Sequence, residues 1–262
     1  MLNLKRFASR AKRREIADEF SSKIEEIIRS QRFHVGELII GKHKVTLSQA
    51  CVLLWRDWFT GDVDGLWTNS SRLAATYACV LLELIAWGKI SCKFQVVFGK
   101  TKVKLKIVDR DLTNSHLDAA AFCQLLKLDK AGQSDLTLDE CLLQAMKWKC
   151  CTRRNCASLT LESLHESNIV KRDKECLGLS RPYRTVDLEP YALLEKEIRL
   201  IVLKSKPPDS YMRILLTLVN IADSYVPKSD KLLKRFFTKN EYLAAAERIQ
   251  TLSSTWSYET KK

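Results

Sequence analysis

Apolar residues recur at helical spacing along most of the chain. Ile16, Phe20, Ile24, Ile27 and Ile28 fall on one helical face, which predicts a first helix over residues 12–30. Thr46 before Leu47-Ser48-Gln49 has the form of a capping box and opens a second helix, running to about Phe59. The segment Gly61 to Gly65 breaks it, and a short extended piece with Leu66 and Trp67 follows. Ser70 or Ser71 caps the next helix, over about 71–87. Leu73, Tyr77, Leu81, Leu84 and Ile85 lie on it, apolar nearly all round, so burial on several sides is expected. Gly88 stops it.

The period then changes. Residues 90–108 alternate, with Val103, Leu105 and Ile107 on one side and Lys102, Lys104 and Lys106 on the other; Gly99 divides two such runs. This predicts a β-hairpin with a solvated lysine face. Helices are expected over 111–128, over 137–148 with a Thr137–Glu140 capping box, and over 156–168. A second hairpin spans 169–186, with Gly178 in its tip. Helices over 188–204 and 209–224 flank Pro207-Pro208, and residues 228–252 add one or two more. Residues 32–45 give no clear element. The fold expected is mainly α: a single compact helical domain with two inserted β-hairpins.

Composition narrows the function classes. The 262 residues include only 8 Gly and 5 Pro, in keeping with regular structure. No uncharged apolar run approaches the roughly 18 residues of a membrane span, and residues 1–14 lack the apolar core of a secretory signal. Nine cysteines without paired spacing, among them Cys150 and Cys151, suit a reducing cytosol. The net charge is +13, and three segments more than account for it: residues 1–14, 93–110 and 147–154. Local basicity of this kind points to an anionic partner, either nucleic acid or a membrane leaflet.

Catalytic chemistry is not indicated. The four histidines lack metal-protease spacing, and Cys150, Cys151 and Cys156 lack the pairing of a zinc site. There is no glycine-rich phosphate loop and no nucleophile elbow. The sequence therefore predicts no enzyme, no metal and no cofactor.

Thr46-Leu47 opens an apolar helix, Gly61-x3-Gly65-Leu66-Trp67 follows, and then Cys79-x3-Glu83-Leu84-x3-Gly88-Lys89-Ile90. On these motifs residues 46–90 resemble the Golgi phosphoprotein 3 family. The resemblance continues in Ser163-Leu164-x-Glu166-x2-Ile169-Val170 and in residues 211–224, and covers most of 44–252 in short motifs. It implies a helical domain that binds phosphatidylinositol 4-phosphate on the cytosolic face of the Golgi membrane, with a cytosolic pool. It further implies an adaptor between coatomer and glycosyltransferase cytosolic tails, with no enzyme activity. Residues 1–43 then read as a basic N-terminal arm and helix, 44–252 as the phosphoinositide-binding domain, and 253–262 as a C-terminal tail.

Carried over residue by residue, the resemblance places Trp67 and Arg154 in the headgroup pocket. Two further positions depart from it: Tyr77 and Ala157 stand where arginines are expected. Arg72 and Arg153 lie near in sequence as replacement charge. A phosphomonoester is best held by several donors, so selectivity for phosphatidylinositol 4-phosphate is expected to be weak. Leu177 and Leu179 flank the glycine of the second hairpin tip as membrane contacts, burial being the alternative. Trp67 reads equally as a lipid-side anchor or an aromatic plug, and the N-terminal cations as a coatomer or lipid grip or a solubilising arm. Self-association is left open. The competing function is a basic nucleic-acid-binding module, disfavoured because no aromatics interleave with the lysines.

Overall fold

A computed structural model describes residues 2–31, 33–40, 42–57, 60–63, 69–131, 136–146, 155–172, 183–254 and 256. The chain is mainly α, with small antiparallel β elements, as the hydrophobic periodicity predicts. Among the described residues no helix is long and apolar enough to cross a membrane.

The helix α3 (Ser70–Ala86) is the centre of the domain. Its apolar residues surround the axis, and it packs against α1 (Leu2–Arg29), α2 (Leu47–Leu53), α5 (Leu138–Ala145), α6 (Cys156–Glu166) and α8 (Ser210–Ser224). Asn69, not Ser70 or Ser71, caps it: the Asn69 side chain accepts from the Ser71 amide. Gly88 follows at φ 73°, the left-handed conformation that ends a helix and that glycine adopts without steric cost.

Two expected domain boundaries do not separate units. Ile16, Ala17, Phe20, Ile24 and Ile27 of α1 are buried in the same core as α3, so the N-terminal helix is an integral layer. The hairpin of β1 (Leu38–Ile40) and β2 (His43–Val45) spans the expected break after residue 43, with Leu38 opposite Val45. At the other end, α9 (Tyr242–Ser254) is followed by Trp256, which is buried and donates from Nε1 to the Thr217 hydroxyl at 3.1 Å. Burial of Ser253 and Trp256 puts the start of the expected tail inside the core.

Local signals account for most element ends. The capping box at Thr46 forms: the Gln49 amide donates to Thr46 Oγ1, and the Thr46 amide donates to Gln49 Oε1 at 3.0 Å. The Gln49 Nε2 also donates to Ser163 and so fixes α2 on α6. A second box, Asn155 with Ser158, opens α6. The box expected at Thr137 does not form. Residues 136–137 are drawn against strand β5 (Lys100–Ile107), where the Leu105 amide donates to the Leu136 carbonyl at 2.8 Å, and the buried Thr137 hydroxyl has no hydrogen bond among the described residues. The helix expected from residue 111 starts later. Asp118 accepts from the Thr113 and Asn114 amides, holding a turn ahead of a π-helical stretch, Asp118–Phe122, that leads into α4 (Cys123–Lys130).

The second predicted hairpin, β6 (Val170–Arg172) and β7 (Tyr183–Thr185), gains a third strand. β3 (Asp62–Val63) pairs with β7, giving the order β3-β7-β6. The helix α7 (Glu189–Leu203) crosses beside β1 and α9, and a short 3₁₀ turn, Leu233–Phe236, lies between α8 and α9.

Candidate functional site

Among the described residues, the first predicted hairpin displays a distinctive charged surface. β4 (Ile90–Val97) and β5 pair in register along their whole length, Ile90 opposite Ile107 and Val97 opposite Lys100. Residues directly opposite share a face, and successive residues alternate faces. One face carries Ile90, Cys92 and Phe94 against Ile107, Leu105 and Val103. Its base is buried in the core. The other face carries Ser91, Lys93 and Gln95 against Lys106, Lys104 and Lys102.

Lys93, Lys102 and Lys106 are exposed, and no ion pair to them occurs among the described residues. The neighbouring cations of the same segment are committed elsewhere: Arg110 pairs with Asp129, and Lys89 with Asp109 at 2.6 Å. Lys93 stands directly opposite Lys104. Like charges in that relation cost a few tenths of a kcal/mol to about 1 kcal/mol. The face thus concentrates positive charge that an anionic surface would complement. No aromatic residue sits among these lysines. Phe94 lies on the opposite face, beneath the Arg29 guanidinium at 4.1 Å from the ring centroid.

The N-terminal cations are partly used inside the fold. Arg14 pairs with Asp18 at 3.2 Å and also with Asp139, and Lys12 donates to the Tyr225 carbonyl. Arg14, with Lys102 and the carboxylates Asp18, Glu25 and Asp139, lines a polar cleft of about 370 Å³ between α1, β5 and α5.

Of the pocket residues taken from the sequence, only Arg72 falls within the described residues. Its guanidinium donates to the Asp230 carbonyl at 2.7 Å, which ties the first turn of α3 to the segment after α8. Trp67, Arg153 and Arg154, together with the hairpin-tip residues Leu177 and Leu179, lie outside the described residues. Tyr77 and Ala157, the positions where arginines were expected, are 4% and 0% exposed. Both point into the core, where burial holds the Tyr77 phenol well above its ordinary range. Neither position opens on a headgroup site.

A buried polar trio at the amino end of α2 contains serine, histidine and glutamate. Ser48 Oγ lies 2.9 Å from His116 Nε2, while Glu83 Oε1 accepts from the Leu47 amide at 2.6 Å and the Ser48 amide at 3.4 Å. In a nucleophilic triad the carboxylate orients the imidazole. Here it binds backbone amides instead, so the arrangement is a helix-end anchor. Burial pushes the Glu83 carboxyl up to about 7 and the His116 imidazole down to about 4. Among the described residues no group of three or more His, Cys, Asp or Glu side chains is placed to hold a metal ion.

A groove of about 650 Å³ runs along α7, between Leu200 and Leu203 and the Arg199–Glu241 ion pair at 2.9 Å. No known protein-family model matches the chain, and no curated protein matches it.

Proposed function

We propose that this chain is a peripheral membrane protein that docks on an anionic leaflet through the lysine face of the β4–β5 hairpin. Its biological role, on the resemblance of residues 46–90 and 211–224, is that of a Golgi phosphoprotein 3-type adaptor. In that role it sits on the cytosolic face of the Golgi, with a cytosolic pool, and links coatomer to glycosyltransferase cytosolic tails. The observation that carries the membrane reading is the hairpin itself: exposed lysines on one face, and an opposite face anchored in the core. Lys93, Lys102 and Lys106 have no ion pair among the described residues, and the element that displays them is rigidly held.

Phosphoinositide enters this reading as an anionic headgroup more than as a shaped ligand. Lysines on a strand are point charges without the fork geometry of arginine. Tyr77 and Ala157, both buried, stand where the resemblance expects arginines, so two headgroup contacts are lacking. Binding should follow charge density, with phosphatidylinositol 4-phosphate only modestly preferred over phosphatidylserine at matched charge.

The test is flotation of the full chain with vesicles containing either lipid, across a salt series. Each lysine near an anionic surface contributes about 1 kcal/mol. Lys93→Gln, Lys102→Gln and Lys106→Gln together should therefore weaken binding about 100-fold, with circular dichroism unchanged. Salt-insensitive flotation, or an unaltered triple variant, removes the hairpin from the interface. The nucleic-acid reading is supported only by the same charge. A salt-dependent shift of a single-stranded oligonucleotide without vesicle binding would favour it.

A further inference from the structure

The turn of the β4–β5 hairpin joins an unfavourable conformation to an unusual residue. Phe98 and Gly99 are its central residues, between the paired Val97 and Lys100, and both have positive φ, 49° and 73°. This turn suits the twist of two antiparallel strands, and its central positions favour asparagine, aspartate or glycine. A side chain in the left-handed region crowds the following carbonyl, and phenylalanine has no polar group to offset that locally. The ring also gains nothing from packing: Phe98 is 102% exposed and Val96 73% exposed. A bulky aromatic is thus held in a strained backbone position entirely in solvent. Neither the turn nor the core explains it, which is the kind of outlier that marks a function.

We infer that this tip is a membrane anchor: Phe98, with Val96 beside it, enters the headgroup–acyl boundary of an anionic bilayer while the lysine face stays among the headgroups. The inference rests on the membrane role proposed above and adds an apolar step to it. Charge complementarity selects the bilayer as occupant, because the exposed aromatic lies at the end of a lysine-bearing ribbon and not among the lysines. The spacing fits as well. Lys102 is two residues beyond Lys100 at the turn, about 7 Å along the strand, comparable with the depth to which interfacial apolar groups enter. The lysine stems can reach the headgroup plane from there. This element is distinct from the tip at Leu177 and Leu179.

Phe98→Asn separates fold from anchor, because asparagine tolerates positive φ and suits this turn. The variant should melt at the same or a higher temperature than the parent chain. Both are then measured as full chains with phosphatidylcholine–phosphatidylserine vesicles over a salt series, and on a monolayer of the same lipids. The expected result is partitioning about 10-fold weaker for Phe98→Asn, the size of one partly inserted ring. The parent should also keep a salt-resistant bound fraction and raise the monolayer pressure, and the variant should do neither. Equal partitioning at every salt concentration and equal monolayer pressure would overturn the anchor while leaving the electrostatic docking intact. Absence of vesicle binding by both proteins would overturn both readings. If the parent then bound an oligonucleotide more tightly than Phe98→Asn, the ring would be assigned to base stacking instead.

Discussion

Replacing Glu83 by glutamine separates two opposed titrations that meet at the amino end of α2. Glu83 is pushed from its ordinary 4.5 up to about 7, chiefly by burial, against the hydrogen bonds from Ser48 and Leu47 that favour the charged form. Between those values the folded protein holds a proton that the unfolded chain has released. Stability therefore falls as pH rises through this window, by about 3 kcal/mol in all at roughly 1.4 kcal/mol per unit. His116 works the other way. Its folded value, lowered from 6.5 to about 4 by burial, means that the unfolded chain binds the extra proton, so stability rises with pH between about 4 and 6.5. The buried Cys79, Cys156 and Tyr211 near Glu83 are all pushed upward and stay neutral throughout. The parent protein should then show a nearly flat stability profile up to about pH 6.5, followed by a decline. In Glu83→Gln the amide oxygen keeps the Leu47 and Ser48 amides, and its NH₂ takes the place of Oε2, which has no hydrogen-bond partner among the described residues, as the protonated carboxyl does at acid pH. Urea unfolding from about pH 5 to about pH 8 should give near-equal stabilities at the acid end, and a variant more stable by about 3 kcal/mol at the alkaline end. Groups elsewhere cancel in the difference between the two curves. A difference that does not change with pH would refute the assignment of this titration to Glu83.

Three other substitutions test the buried position 157 and the helix caps. Ala157→Arg should lower stability by several kcal/mol in chemical denaturation, with no gain in phosphoinositide binding, because position 157 is 0% exposed and an arginine there is a buried charge. A folded variant with new headgroup selectivity would contradict that. Asn155→Ala should cost about 1 kcal/mol and Thr137→Val about nothing, since only the first side chain caps its helix. Equal losses on thermal melting would show that Thr137 does act as a cap.

What could be read from the sequence was local in origin. The cap at Thr46 depends on residues three apart, and the lysine face of β5 on strict alternation. Both appear as expected because no distant contact competes with them. Thr137 shows the converse: its box pattern is equally good, but the bond from the Leu105 amide to the Leu136 carbonyl claims the segment for the sheet. The three-stranded β3-β7-β6 sheet joins residues more than a hundred positions apart, a pairing that no window along the chain contains. α1 was legible as a helix but not as core, because its apolar stripe looks the same whether it covers the domain or lies apart. Trp256 was missed for a related reason: its partners, Thr217 and the Arg213 guanidinium 4.7 Å from its ring, are on α8. Phe98 could have been found. A hairpin turn reading Phe-Gly where Asn-Gly is favoured is a visible anomaly between two alternating runs.

The energetics of the β4–β5 hairpin explain how it can carry two unfavourable features at once. The left-handed Phe98 costs about 1–2 kcal/mol and the opposed Lys93 and Lys104 about 0.2–1 kcal/mol. Against these, Ile90, Val103, Leu105 and Ile107 are buried at its base. At about 1.5–3 kcal/mol each, as an upper bound, they contribute about 6–12 kcal/mol. The anchoring exceeds the costs severalfold, so the exposed end of the hairpin is free to hold residues that no packing requirement selects. The exposed turn and the lysine face both lie away from the buried base, and both suit one event: contact with an anionic surface that has an apolar interior. Removing the two unfavourable features should therefore raise stability and lower binding together, whereas damage to the base should lower both. Opposite signs for the two classes of variant distinguish a docking element from a hairpin that only completes the fold.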